Sequence, residues 1–290
     1  MSANESEPTR NDTSLGRFYP ITLPDGRDVS WPSVTTIEQA IAKPSLISWS
    51  ARVEREAVIE AAAELYADVA GTPPMKELAF RASLDTRIGK VKAYKREMAK
   101  AAEIGTQAHK RIEWMLRKEL GQTSKKEPRC SDKAEWAVMA FEDWRRSVNL
   151  KPIFVERRAY SITHEAAGTF DLYAEVNGVL TLCDWKTSKG VYGEALIQNA
   201  AYRYFMREMG MGDARAGLVL RLPKVDTDPQ FEVVDVDKRA SETYGVPLEK
   251  AEGYLFELFL AAKTLWWAMY RDNLAYRAKR DAKGASDGTV

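Results

Sequence analysis

Asp171, Asp184 and Lys186 are the residues best placed to do chemistry, because all three fall in one short stretch, GTFDLYAEVNGVLTLCDWKTS at 168–188. The stretch reads as two strands around Asn177-Gly178, a dipeptide suited to a type I′ hairpin turn because both residues tolerate positive φ. With those two as the loop, Val176 pairs with Val179, Tyr173 with Leu182, and Asp171 with Asp184. The aspartates then form a non-hydrogen-bonded pair with Cα atoms about 4.5 Å apart, where like charges repel. Lys186, two residues past Asp184, shares their face. Phe170, Leu172, Ala174, Val176, Val179, Cys183 and Trp185 are assigned to the opposite face, against the core. Two acids and a lysine gathered on a sheet make a destabilising cluster that a bound divalent cation would offset.

Other residues join this set by their surroundings. His109, one of two histidines, lies in EIGTQAHKRIEW; the pattern Gly105, Thr106, His109 places glycine and threonine where a helix start would let a backbone or phosphate approach. Glu156, in VERRAY on the preceding strand, reads either as a catalytic acid or as an exposed glutamate paired with Arg157 or Arg158. Gln198 and Tyr202 are four apart, hence on one helical face; alone they also fit an amphipathic helix with a packed tyrosine and a solvated glutamine. Between 87 and 118 there are ten Lys/Arg against Glu97, Glu103 and Glu113, a local excess of seven positive charges. Lys92, Lys95, Lys100, Lys110 and Arg111 fall in that run and could track phosphates, with Tyr94 and Trp114 available for base stacking.

These residues need a sheet and helices to position them, and the pattern supplies both. RFYPITLPDGRDVSW reads as a small hairpin turning at Asp25-Gly26. A helix begins at Ser33, breaks at Lys43-Pro44 and restarts at Ser45, with helical periodicity over 45–70, 76–99 and 100–120. SDKAEWAVMAFEDWRRSV is another helix, capped by Ser131 or Asp132. Then KPIFVERRAY, AGTFDLYAEV and LTLCDWKTS read as strands, 193–209 as a helix, ARAGLVLRL and QFEVVDV as strands, and 246–280 as a long final helix. The expected organisation is a disordered tail at 1–14, a mainly helical region at 15–150, a sheet and C-terminal helix at 151–281 continuous with it as one domain, and a tail at 282–290.

Composition bounds the class. The 290 residues are 45% hydrophobic and 29% charged with net charge +1, ordinary for a globular chain long enough to bury a core. The polar start, MSANESEPTRNDTS, lacks the apolar segment of a signal peptide, and no long uncharged apolar run suits a membrane span; a cytoplasmic location without membrane association is expected. Two cysteines are too few for a four-cysteine metal site, and disulfides are not expected in that compartment.

In order, GTxxH, a strand GTFD, a strand DWKTS and a helix QxxxY resemble the RecB-like branch of the PD-(D/E)XK nucleases over about 101–204. SVTTI…KPSLISW resembles the N-terminal region of stand-alone bacteriophage exonucleases of that type. The resemblance implies an α/β fold with a restriction-endonuclease-like core, a central mixed β-sheet flanked by helices, and a helical N-terminal region walling a DNA channel. It implies Mg2+ or Mn2+ held by His109, Asp171 and Asp184, with the carbonyl of Trp185 as a candidate further ligand and with Asp171, Asp184 and Lys186 catalytic; Glu156, read from its strand above, is the additional catalytic candidate. Gln198 and Tyr202 would shape the site or touch DNA, as would Thr106. An iron–sulfur cluster is not expected with two cysteines, nor ATP without a GxxxxGK[ST] loop. The implied activity is a DNA exonuclease in recombination, repair or phage replication. Its partners would be DNA and a recombinase or single-strand-binding protein. An endonuclease on the same site, a non-catalytic DNA-binding recombination scaffold and an RNA-processing nuclease are the rival readings.

Overall fold

Asn177 and Gly178 adopt φ 50° and 85°, the paired positive values a type I′ turn requires, and they set the register of the hairpin that carries the acids. In the computed structural model, which describes residues 11–70, 75–224 and 231–286, the described chain divides into two compact units, 42–106 and the remainder. This differs from one continuous domain, and neither boundary lies at 150.

The larger unit opens with strands β1 (Asn11–Thr13), β2 (Gly16–Thr22) and β3 (Asp28–Pro32), an antiparallel three-stranded sheet. The hairpin read from the sequence is β2–β3, turning through Gly26 at φ 85°. Residues 11–13, expected in a disordered tail, pair with β2; 1–10 lie outside the described residues. Ser33 caps the short helix α1 (Val34–Ile37) by accepting the Thr36 N–H, and a 3-10 turn follows at Glu38–Ala40.

The smaller unit holds α2 (Pro44–Val69), α3 (Glu77–Ile88) and the start of α4 (Ala93–Glu119). Proline at the first position of α2 suits a site where no N–H is needed. The break expected near 100 is absent: α4 is continuous, and Gly105-Thr106 lies within it rather than at a helix start. One interior glycine costs about 1 kcal/mol, which the surrounding alanine, lysine and glutamate residues absorb.

After α5 (Asp132–Ser147), the larger unit builds its main sheet from β4 (Leu150–Ser161), β5 (Ala166–Val176), β6 (Val179–Lys186), β7 (Ala216–Arg221) and β8 (Glu232–Asp235), in that spatial order. β6 and β7 are parallel, joined by α6 (Gly193–Glu208), and the other pairs are antiparallel. The fold is therefore α/β, a five-stranded mixed sheet flanked by helices. Helix α7 (Val236–Tyr244), not anticipated, carries its signals in the sequence: Asp235 accepts the Lys238 N–H, and Gly245 follows at φ 68°, a favoured helix exit. Helix α8 (Ala251–Ser286) runs through part of the expected 282–290 tail, whose last four residues lie outside the described set.

Both sides of the main sheet are covered. Trp185 packs against Phe141 and Trp144 of α5, with ring centroids 5.1 and 5.7 Å away. Leu182, Tyr173 and Val219 join a core cluster with α6 and α8 residues, including Ala200, Phe205, Leu255 and Phe259. The expectation of one core face and one open aspartate face is corrected accordingly. Phe170, assigned to the side of Trp185, packs instead on Tyr202 of α6, in the same cluster as Tyr173. Residues 170 and 173 would point oppositely in a regular strand, so alternation breaks between them. The break lies beside Glu156 of β4, whose φ of 47° is unusual for a residue with a Cβ.

No helix among the described residues is long and apolar enough to cross a membrane.

Candidate metal centre

The hairpin ladder follows the predicted register from Val176↔Val179 to Leu172↔Cys183 and stops there, before Asp171 and Asp184. Asp171 Oδ2 instead accepts the Trp185 N–H at 2.7 Å. A side chain thus takes the place of a strand neighbour at the end of the ladder. Trp185 reaches the site through its amide.

His109, Glu156 and Asp171 converge here, each offering a ligand atom within 4.8 Å of the other two. They arrive on α4, on the kinked part of β4 and on β5. His109 Nδ1 lies 3.4 Å from Asp171 Oδ1. Arg117, about two helical turns beyond His109, donates to the Val155 carbonyl at 3.2 Å and so ties α4 to the backbone that carries Glu156. Of the two readings of Glu156, the exposed one is removed: its carboxyl turns to Asp171 and His109.

Asp184 and Lys186 form the other half of the cluster. Lys186 Nζ lies 2.7 Å from Asp184 Oδ2 and donates to Oδ1 at 2.9 Å and to Gln198 Oε1 at 2.8 Å. The 2.7 Å approach to Oδ2 falls outside hydrogen-bond geometry, so that buried oxygen keeps unfilled accepting capacity. Asp171 is 9% exposed and Asp184 7%.

The electrostatics are those of an acid cluster short of positive charge. Burial opposes a charge on His109, but Asp171, Glu156 and Asp184 outweigh it and raise its pKa to about 9. Burial would raise Asp171, yet His109, Lys186 and the Trp185 N–H hold it below the usual carboxylate range. Asp184 is pushed up to about 6 by burial, against Lys186 and with Asp171. Burial, reinforced by Asp171, lifts Glu156 well above its ordinary value. Burial disfavours the Lys186 charge, but Asp184 and Asp171 outweigh it and raise the lysine.

Gln198 and Tyr202 are buried, at 6% and 3% exposed. Gln198 holds Lys186. Tyr202 lies against Gly168, where an added Cβ would meet its hydroxyl at 2.4 Å, which accounts for the glycine of GTFD. Thr106 bonds the Ala102 carbonyl and belongs to the smaller unit.

The basic run is less bare than its sequence count. Arg111 is engaged by Glu127 and the Pro128 carbonyl, Arg117 by Glu113, Lys100 by Glu97, and Arg87 by Glu64 and Asp68. Three of these acids lie outside 87–118, which is why a windowed count overstates the charge. Lys92, Lys95 and Lys110 are exposed. Trp114 is committed as well, with its N–H on the Lys125 carbonyl and Lys118 Nζ 4.7 Å over its ring.

Sequence reasoning missed Glu38, buried on the 3-10 turn and close enough to help raise both Lys186 and Tyr202. It also missed Tyr19, whose hydroxyl lies 3.2 Å from Thr169 Oγ1. The only sequence signal for Glu38 is an acid following Val34 and Ile37 on an otherwise apolar helical stripe.

No family model matches the chain, and comparison with curated proteins gives no significant match.

Proposed function

We propose that the chain is a divalent-metal-dependent DNA nuclease of the RecB-like PD-(D/E)XK type, acting from ends as an exonuclease in recombination, repair or phage replication. The observation that carries this reading is the convergence of His109, Glu156 and Asp171 beside the Asp184–Lys186 pair at a buried point of the sheet. Three carboxylates and one imidazole suit Mg2+ or Mn2+, and the unfilled Asp184 Oδ2 fits a ligand's place. His109, Glu156, Asp171 and Asp184 would hold the ion, which supplies an activated water and a polarised phosphoryl oxygen when bound. Lys186, held between Asp184 and Gln198, sets a fixed positive charge where negative charge grows on the phosphate. The Trp185 N–H keeps Asp171 ionised and oriented.

The test is incubation of end-labelled linear DNA and covalently closed single-stranded circles with Mg2+ or with EDTA. The expected result is Mg2+-dependent loss of linear DNA from an end with circles persisting. Asp171→Asn and Asp184→Asn should be inactive but still bind DNA. Rapid fragmentation of circles replaces the exonuclease with an endonuclease. DNA binding without cleavage replaces both with a recombination scaffold, and full activity in both variants rejects the site.

A further inference from the structure

Tyr192 is the most exposed of the described aromatic side chains of the larger unit, at 55% against 38% for Trp136, and lies only six residues past Lys186. The segment between them is anchored at both ends. Lys186 closes β6 in the ladder with β7, and Tyr192 is the residue from which α6 starts. Within it, the Ser188 hydroxyl donates to the Gly190 carbonyl at 2.7 Å. A Cβ built on Gly190 would meet the Tyr192 ring at 3.8–4.0 Å. The ring therefore lies over a glycine, with one side on the loop and its remaining surface in solvent.

Helix α6 links Tyr192 to the residue that holds Lys186. Gln198, six residues into α6 from Tyr192, holds Lys186 at 2.8 Å, and six residues of α-helix span about 9 Å. The offset runs toward the C-terminal ends of parallel strands β6 and β7, the side on which open α/β sheets bind ligands. Lys189, on the same loop, is exposed.

We infer that Tyr192 is a stacking platform for an unpaired base of the strand being cut, with Lys189 contacting its backbone, so that the substrate is presented as single-stranded nucleic acid. The inference rests on the nuclease reading above. An aromatic face binds any base and has no use for one paired inside a duplex, while an exposed ammonium on the same loop favours phosphate. A tyrosine kept only as a solvent-facing helix start would not depend on whether a base is present.

The experiment uses the full chain and single-stranded oligonucleotides carrying one abasic site at successive positions. The expected result is that an abasic site at one position slows Mg2+-dependent cleavage by the wild type roughly 5- to 150-fold, the span of one base–aromatic stack. Tyr192→Ala should show that loss on intact strands and lose nothing more at that position, and Tyr192→Phe, which keeps the ring, should recover most of it. Binding to the inactive Asp184→Asn protein, with and without Tyr192→Ala, gives a readout independent of turnover and should weaken by a similar factor. Wild-type cleavage and binding in folded Tyr192→Ala, or an abasic penalty unchanged by it, overturns the stacking site while leaving the nuclease reading intact. Absence of cleavage by the wild type overturns both.

Discussion

Replacing Lys186 by methionine tests what the lysine is for. Its Nζ lies 2.7 and 2.9 Å from the two Asp184 oxygens, and its side chain is 28% exposed. At 2.7 Å and an effective dielectric of about 20, two unit charges attract by about 6 kcal/mol. Desolvating both ions costs several kcal/mol each, so little of that attraction survives as net ground-state stability. The charge matters more where new negative charge develops. Loss of one preorganised electrostatic stabiliser typically costs about 100- to 1000-fold in rate. In the metal-free variant Asp184 loses the larger of the two groups that lower its pKa, Lys186 rather than His109, so it rises further from about 6 and takes up a proton instead of remaining a buried bare charge. The melting temperature should therefore change by only a few degrees. Single-turnover cleavage across a Mg2+ titration should show the rate at saturating metal down about 100- to 1000-fold, with the Mg2+ midpoint moved much less. Recovery of the wild-type rate at high Mg2+ would refute the reasoning and make Lys186 an organiser of Asp184 rather than a stabiliser of the phosphate.

Gly168→Ala puts a Cβ 2.4 Å from the buried Tyr202 hydroxyl and should cost about 1–3 kcal/mol by overpacking, read as a lower denaturation midpoint; an unchanged midpoint would mean that Tyr202 moves freely. In EDTA, His109 contributes stability through a pKa raised from 6.5 to about 9, so its contribution is fully present below pH 6.5 and fades as pH rises through 9. The melting difference between wild type and His109→Gln should follow that window, and a difference flat across it would remove the His109–Asp171 interaction as its source. Charge reversal to glutamate at Lys92, Lys95 and Lys100 should weaken DNA binding across sequences and flatten its salt dependence, with the smallest share from Lys100, already paired with Glu97; unchanged affinity leaves these residues as ordinary surface.

Much of the sheet is legible because its signals are local. Asn177-Gly178 specifies a turn, the turn specifies a register, and the register holds to Leu172↔Cys183. The α7 caps at Asp235 and Gly245 are equally local and went unread because the segment between them is short and polar. The kink at Glu156 is a different case. Glutamate has no preference for positive φ, so nothing in VERRAY announces a conformation imposed by its surroundings. That kink coincides with the loss of alternation between Phe170 and Tyr173, which is why a period-2 reading placed Phe170 on the wrong side.

The site was legible in its residue types and less so in its grouping, for a physical reason. A hairpin register can bring Asp171 and Asp184 together, but it says nothing of a carboxylate arriving from the next strand through a strained backbone or of a histidine arriving on a helix. The closest ligand set is His109, Glu156 and Asp171, while Asp184 is held by Lys186. A non-glycine residue at positive φ costs energy that the surrounding structure must offset, and here the strained residue places a buried carboxyl against two others of like charge. A fold selected for stability alone would relax both. A cation held at that point, as proposed above, would offset the strain and the repulsion at the same residue.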